Sequence, residues 1–406
     1  MKTILKCGKL FTAETDTVQQ NMALVVQEGK IVQIAPVEQV DCTGAQVVDL
    51  SGKFVMPGLI DGHLHTYIGG YDKGFLPIAL DNHCLTVLKC LSRAMTDLRA
   101  GFTTICDCGC ADFGADLSLK QAIETGLVDG PRMLVSGPMI ATTSFYFPNC
   151  DMVTRTVDGP LEARKAARDV IAKGADIVKL MATEGVCSSG PLGLPIMGCD
   201  EIQAACDIAN SLHHISRAHA HGAEGIKRVV RAGITLVDHA MLIDDEGIDL
   251  MAEHGTYLCP TFTAGYRMIE RGAGTDLPQY MVEKSKYALE QHASHFQEFL
   301  KRGIPIVFGT DTGTPFSAHG EQGVEFRLMV QFGMSPVQAL LSATRTAAEF
   351  LRIQDKVGTL AEGKLADVAA FDKDPLEDIS VMEHCSFVMK GGKIFKGPCA
   401  APEYCQ

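Results

Sequence analysis

Between residues 54 and 352, short apolar runs alternate with helical segments eight times, and this alternation constrains the chain more than any other feature. The runs are FVMPGLIDGHLH, FTTICDCG, RMLVSG, DIVKLM, ISRAHAHG, ITLVDHA, TYLCPTF and PIVFGTD. Helical patterns fall near 81–99, 115–126, 161–173 and 200–213, in AEGIKRVVRAG and DDEGIDLMAEHG, near 278–302, and from 321 to 352. Apolar runs separated by helices are the pattern of strands buried on both faces of a parallel sheet. Eight such units in roughly 290 residues predict an α/β fold, a (β/α)8 TIM barrel over residues 58–355, with its working groups at the C-terminal ends of the strands.

Both ends of the chain read differently. TILKCGKLF, MALVVQEGKIVQIA and AQVVDLSGKFVMPG alternate as hairpin strands, and KVGTL, KLADVAAFD and FVMKGGKIFK near the other end have the same character. Residues 1–57 and 356–406 are therefore expected to form one small β-sandwich domain. A content of 46% hydrophobic and 21% charged residues is that of an ordinary globular chain. The formal charge of -13 comes without a basic patch, so nucleic acid is not an expected partner. No apolar stretch reaches the ~18 residues of a membrane span, and Lys6 and Lys9 interrupt any signal-peptide core. With 15 cysteines scattered through apparent core segments, free thiols in a reducing, cytoplasmic setting are expected.

One residue offends the strand pattern. In GADIVKLMATEG, Lys179 sits inside a run that should be buried, and a buried ammonium is costly unless paired or chemically changed. The alternative is a stem that snorkels to solvent from the strand end. The other polar residues at expected strand ends form a short set: His63 and His65 on the first, His219 and His221 on the fifth, His239 on the sixth and Asp311 on the eighth. The period-two spacing of His63 and His65 sends both imidazoles to one side. Any one of these residues reads as structural on its own. Together they form a typical donor set for a divalent, zinc-like ion.

At this point the chain resembles the amidohydrolase superfamily, in its binuclear metal-dependent branch. PGLIDGHLH at 57–65, SATRTAAEFL at 342–351, VGTLAEGKLADVAAFDKDPL at 357–376 and VMKGGKIF carry the likeness. VKLMATEGV, RAHAHG, VDHAMLIDDEG and VFGTDTGTP resemble the imidazolonepropionase-like amidohydrolases and Xaa-Pro dipeptidases. The resemblance implies two divalent ions, zinc by default. His63, His65 and Asp311 would hold one, His219 and His239 the other, and Lys179, carboxylated by carbon dioxide, would bridge them with a hydroxide. Asp311 would be the general acid/base in hydrolysis of an amide bond in a small molecule with an amino-acid-like portion, such as a dipeptide or N-acyl amino acid, by a homo-oligomer. His221 is left as a substrate contact or a structural group. Two other readings are a one-metal enzyme of the imidazolonepropionase type and a non-catalytic scaffold.

The sequence departs from these relatives after the third strand. They commonly carry T-G-G-H-G there, whereas SGPMIATTSFYFPNCDM has no histidine and offers Tyr146 as an oxyanion donor or a packing group. Arg267 and Arg271 read as solvated surface residues or as partners of a substrate carboxylate. The cysteines of ICDCGC have the spacing of a strand rather than of a C-x2-C zinc turn.

Overall fold

The computed structural model describes residues 2–70, 81–110, 114–144 and 153–398. Strands β1 (Lys2–Phe11), β2 (Val18–Gln27), β3 (Lys30–Pro36) and β4 (Gln46–Pro57) come from the first part of the chain. They join β14 (Val368–Phe371), β15 (Cys385–Lys390) and β16 (Lys393–Lys396) in one seven-stranded sheet of order β16-β15-β14-β4-β1-β2-β3. The two ends of the chain meet at β4, which pairs parallel with β1 and antiparallel with β14. This sheet has its own core, in which Leu5, Leu24, Val48, Val55, Val368 and Phe387 pack together. The β1–β4 register slips between Cys7 and Lys9, where a Cβ on Gly8 would stand 1.9 Å from the Ser51 carbonyl oxygen. Only glycine allows that approach.

The central strands are parallel and short. One sheet runs β5 (Leu59–Leu64), β6 (Phe102–Asp107), β7 (Arg132–Val135). A second contains β8 (Met139–Ala141), β9 (Thr154–Thr156), β10 (Ile177–Met181), β11 (Ile215–Gly222), β12 (Leu236–Leu242) and β13 (Tyr257–Cys259), in the order β13-β12-β11-β10-β8-β9. Burial is nearly complete along β5, β6, β10 and β12, as their apolar composition demands.

Helices on the outer side bury one stripe each. In Ala223–Arg231, Ile226, Val229 and Val230 are buried, while Lys227, Arg228 and Arg231 pair with Asp244, Glu224 and Glu246. Each such aliphatic side chain contributes about 1.5–3 kcal/mol on burial, so the apolar stripe outweighs the exposed pairs. No described helix is long and apolar enough to cross a membrane.

Three expected strands differ in detail. RMLVSG ends at Val135, and Gly137 (φ 64) with Pro138 turns the chain so that the next piece, β8, joins the other sheet. TYLCPTF is cut to Tyr257–Cys259 because Pro260 has no amide proton and Thr261 adopts φ 51. PIVFGTD is not a regular strand. It makes single parallel bridges, Ile306 to Leu258 and Thr312 to Leu64. The amides of Thr310 and Asp311 both donate to the His63 carbonyl, at 3.1 and 2.7 Å, and Asp311 has φ 57, which breaks the ladder. Even so, Gly62 donates to Phe308 and Val307 to Leu258, both at 2.8 Å, so this segment lies between β5 and β13. Between β7 and β10 the link is the Asp176 amide on the Val135 carbonyl at 2.8 Å.

Candidate metal centre

The register of β10, β11 and β12 builds the floor of the site. Lys179 lies directly across from Arg217, and Met181 across from His219, which in turn faces Asp238. Two cations in neighbouring buried strands require an anion, and Asp238 supplies it. Its Oδ2 accepts from Lys179 Nζ and from Arg217 Nε at 3.1 Å, and Oδ1 accepts from Arg217 Nη2 and His63 Nδ1, the latter at 2.7 Å. Burial opposes ionisation of Asp238, but Arg217, His63 and Lys179 hold its carboxyl well below the usual range. Lys179 is 2% exposed and does not snorkel.

In a regular strand Asp238 and His239 would face opposite ways. His239 has φ 72 and Ala240 φ 51, a left-handed step that turns the imidazole into the same cavity. His219 and His221, two apart on β11, have ring centroids 4.5 Å apart, and His221 stacks on His239 at 4.9 Å with 11° between planes. His65 Nε2 lies 3.1 Å and His63 Nε2 3.5 Å from Asp311 Oδ1. Three groups, each with its ligating atoms within 4.8 Å of one another, occur among the described residues: His219/His221/His239 and His63/His65/Asp311 in the cavity, and His63/Asp238/Cys259, whose carboxylate is taken up by Lys179 and Arg217. Lys179 lines the same pocket.

These residues fit metal ions in their donor chemistry. The Nδ1 atoms of His63, His65 and His239 face Asp238 Oδ1, the Gly109 carbonyl and Thr261 Oγ1 at 2.7, 3.1 and 2.6 Å. Thr261 donates its own proton to the Pro260 carbonyl at 2.8 Å, so it accepts from His239. Such outer partners fix the tautomer that presents Nε2 to a metal. Burial, and then the neighbouring His221, pushes His219 and His239 well below the usual histidine range, and burial pulls His63 to about 4 and His221 to about 3. Neutral imidazoles keep the lone pair that a metal needs. Burial alone would raise Asp311, yet His63, the His65 hydrogen bond and Lys179 together hold its carboxyl below the usual range.

All seven residues singled out at strand ends converge here, His63, His65, Lys179, His219, His221, His239 and Asp311. Both His221 ring nitrogens lack a hydrogen-bond partner among the described residues, so geometry alone does not separate it from His219 as a ligand. Tyr146 lies outside the described residues. Arg267 is not a solvated surface group. It is 7% exposed and pairs with Glu270 and Glu321 at 2.6 and 3.1 Å, while Arg271 pairs with Glu321 at 2.9 Å. Cys106 and Cys108 are buried with sulfurs 3.6 Å apart, consistent with a strand.

Three residues of this centre had no role assigned from sequence: Arg217, Asp238 and Asp61. Asp61 accepts from the His63 amide at 3.0 Å and the Thr310 hydroxyl at 2.7 Å, tying β5 to the segment that carries Asp311. Burial pushes its pKa up to about 8. Its signal was present in the sequence, since Asp61, His63 and His65 share one period-two face.

The model of the amidohydrolase family matches residues 54–395. A crystal structure of a Xaa-Pro dipeptidase with bound methionine in its active site superposes with a TM-score of 0.90 at 32% identity, covering 98% of this chain and all of that one. Ochratoxinase of Aspergillus niger is 29% identical over 383 residues, 86% of this chain and 77% of that protein. Imidazolonepropionase of Fusobacterium nucleatum is 23% identical, covering 93% and 92%.

Proposed function

The chain belongs to the amidohydrolase family, and we propose that it hydrolyses the amide bond of a dipeptide or N-acyl amino acid on two divalent ions, zinc by expectation. It is a hydrolytic enzyme acting on carbon–nitrogen bonds. The observation that carries the finer reading is the pair of donor groups beside Lys179. His63, His65 and Asp311 would hold one ion, His219 and His239 the other, and Lys179 as its carbamate would reach both. When bound, such ions polarise the scissile carbonyl and lower the pKa of water.

The protein's own groups do the rest. Asp311 is the acid of the site that solvent reaches, with a side chain 14% exposed against none for Asp238. Its carboxylate takes the proton released by the attacking water and delivers it to the departing amine, with no acyl-enzyme formed. Carboxylation of Lys179 exchanges an ammonium for an anion, leaving Arg217 to balance the charge of Asp238 while neutral His63 donates a hydrogen bond to it. His221 offers a neutral imidazole to the substrate from the cavity wall.

The same reading closes the two parallel sheets into a barrel through residues 305–312 and the β7–β10 link. It takes residues 1–57 with 356–406 as the β-sandwich domain of a cytoplasmic homo-oligomer. Metal analysis with a crystal structure tests the centre: two equivalents per chain and a modified Lys179 are expected. One equivalent beside an unmodified lysine, or a Lys179→Ala enzyme of full activity, would refute it and favour the one-metal reading.

A further inference from the structure

The cavity wall has a composition that the hydrolytic chemistry does not explain. Met139, Met181, Met241 and Met268 all line it, from β8, β10, β12 and the helix Phe262–Arg271. Four of the eighteen described lining residues are methionine, against 17 of 406 in the chain, an enrichment of about fivefold. Four separate elements deliver them, so no local sequence bias accounts for the cluster. Ile68 and Val186 line the same cavity. Methionine is unbranched and polarizable, and a wall of it re-packs around apolar groups of differing shape.

The described cations near this wall have partners of their own. Lys179 and Arg217 face Asp238. Arg267, next to Met268, is paired with Glu270 and Glu321. Lys284 gives its ammonium to the Ser188 and Gly190 carbonyls at 2.6 and 2.5 Å. Those carbonyls are neutral and leave the Lys284 charge in place, and Arg267 Nε has no hydrogen-bond partner among the described residues.

Resting on the amide-hydrolase reading, we infer that the preferred substrate carries an extended apolar group of several carbons next to the scissile amide, seated on these four methionines.

Two substrate series on the zinc-loaded enzyme test this: N-acylglycines from acetyl to decanoyl, and N-acetyl amino acids including alanine, leucine, phenylalanine, methionine and glutamate. In one series kcat/KM should rise about fourfold per buried methylene over its early members. Met268→Gln should flatten the slope while Met268→Leu restores it. Calorimetric titration with aliphatic hydroxamates from two to ten carbons reads the wall without turnover. Hydrolysis that is flat with chain length overturns the inference and leaves the amide reading standing. No hydrolysis, with hydroxamate affinity still rising along the series, supports the wall and overturns the amide reading. Flat hydroxamate affinity with no hydrolysis overturns both.

Discussion

Replacing Arg217 by methionine keeps most of the side-chain volume and removes one charge from the floor of the metal centre. Arg217 and Asp238 are both 0% exposed, so no solvent replaces the lost contacts. Asp238 loses the two guanidinium bonds to Nε and Nη2, and the Gly62 carbonyl loses its donor at 2.5 Å. Lys179 and His63 remain. Removing one partner from a buried ion pair costs about 3–5 kcal/mol, because the survivor stays desolvated. At about 2 °C per kcal/mol for a large domain, the Tm should fall by roughly 6–10 °C. Calorimetry on chelated protein measures this without a metal-binding contribution. Asp238→Asn and the double variant complete a cycle, in which the pair should couple by about 1–3 kcal/mol. A Tm within 2 °C of wild type, or single effects that simply add, would refute the idea that Arg217 balances Asp238.

Other outcomes follow from single features. Asp311→Asn should lower kcat by about 10²–10⁴-fold with an unchanged circular dichroism spectrum, and a variant within tenfold of wild type would remove Asp311 from proton transfer. A Cβ on Gly309 would stand 2.4 Å from Cys259 Sγ and 2.8 Å from His63 Cβ, so Gly309→Ala should destabilise by about 1–3 kcal/mol in urea; an unshifted midpoint would contradict this packing. His319 faces Asp97 Oδ2 through Nδ1 at 2.8 Å and the Ile68 carbonyl through Nε2 at 2.9 Å, a geometry that calls for both protons. Burial lowers its pKa, but Asp97 and the carbonyl outweigh it and raise it above the ordinary value. Its stabilising effect is therefore complete below an unfolded pKa of about 6.5 and is lost as pH rises through the higher folded value. Stability curves from pH 5.5 to 9 should converge for wild type and His319→Gln at the alkaline end; parallel curves would exclude a charged His319.

Much of the centre was legible in the chain because metal ligands must be polar where neighbours are apolar. Lys179 broke a buried run, and His63 with His65 kept strand period. Arg217 breaks its strand in the same way, but only the register that sets it opposite Lys179 reveals that the two share one carboxylate. Asp238 was hidden by its neighbour. Regular strand geometry allows either it or His239 to face the cavity, and the positive φ of His239 lets both do so. The same limit applies to the strands that came out broken. Pro260 signals an end in sequence, whereas the switch of the third strand between sheets depends on which neighbour's hydrogen bonds are free on each side of Gly137. The methionine wall lay beyond any local pattern, since its members are up to 129 positions apart.

The pairing of β4 with β14 sets a schedule for folding on the ribosome. Pro57, in the register opposite Val368, is synthesised 311 residues earlier. At about 5–20 residues per second, one edge of β4 waits roughly 15–60 s for its partner. During that time an apolar strand leading directly into the His63 segment has an open side, the condition in which chains pair wrongly with one another. A C-terminal truncation ahead of residue 368 would make that interval permanent, so the last strands act as the cover that ends the nascent chain's exposure.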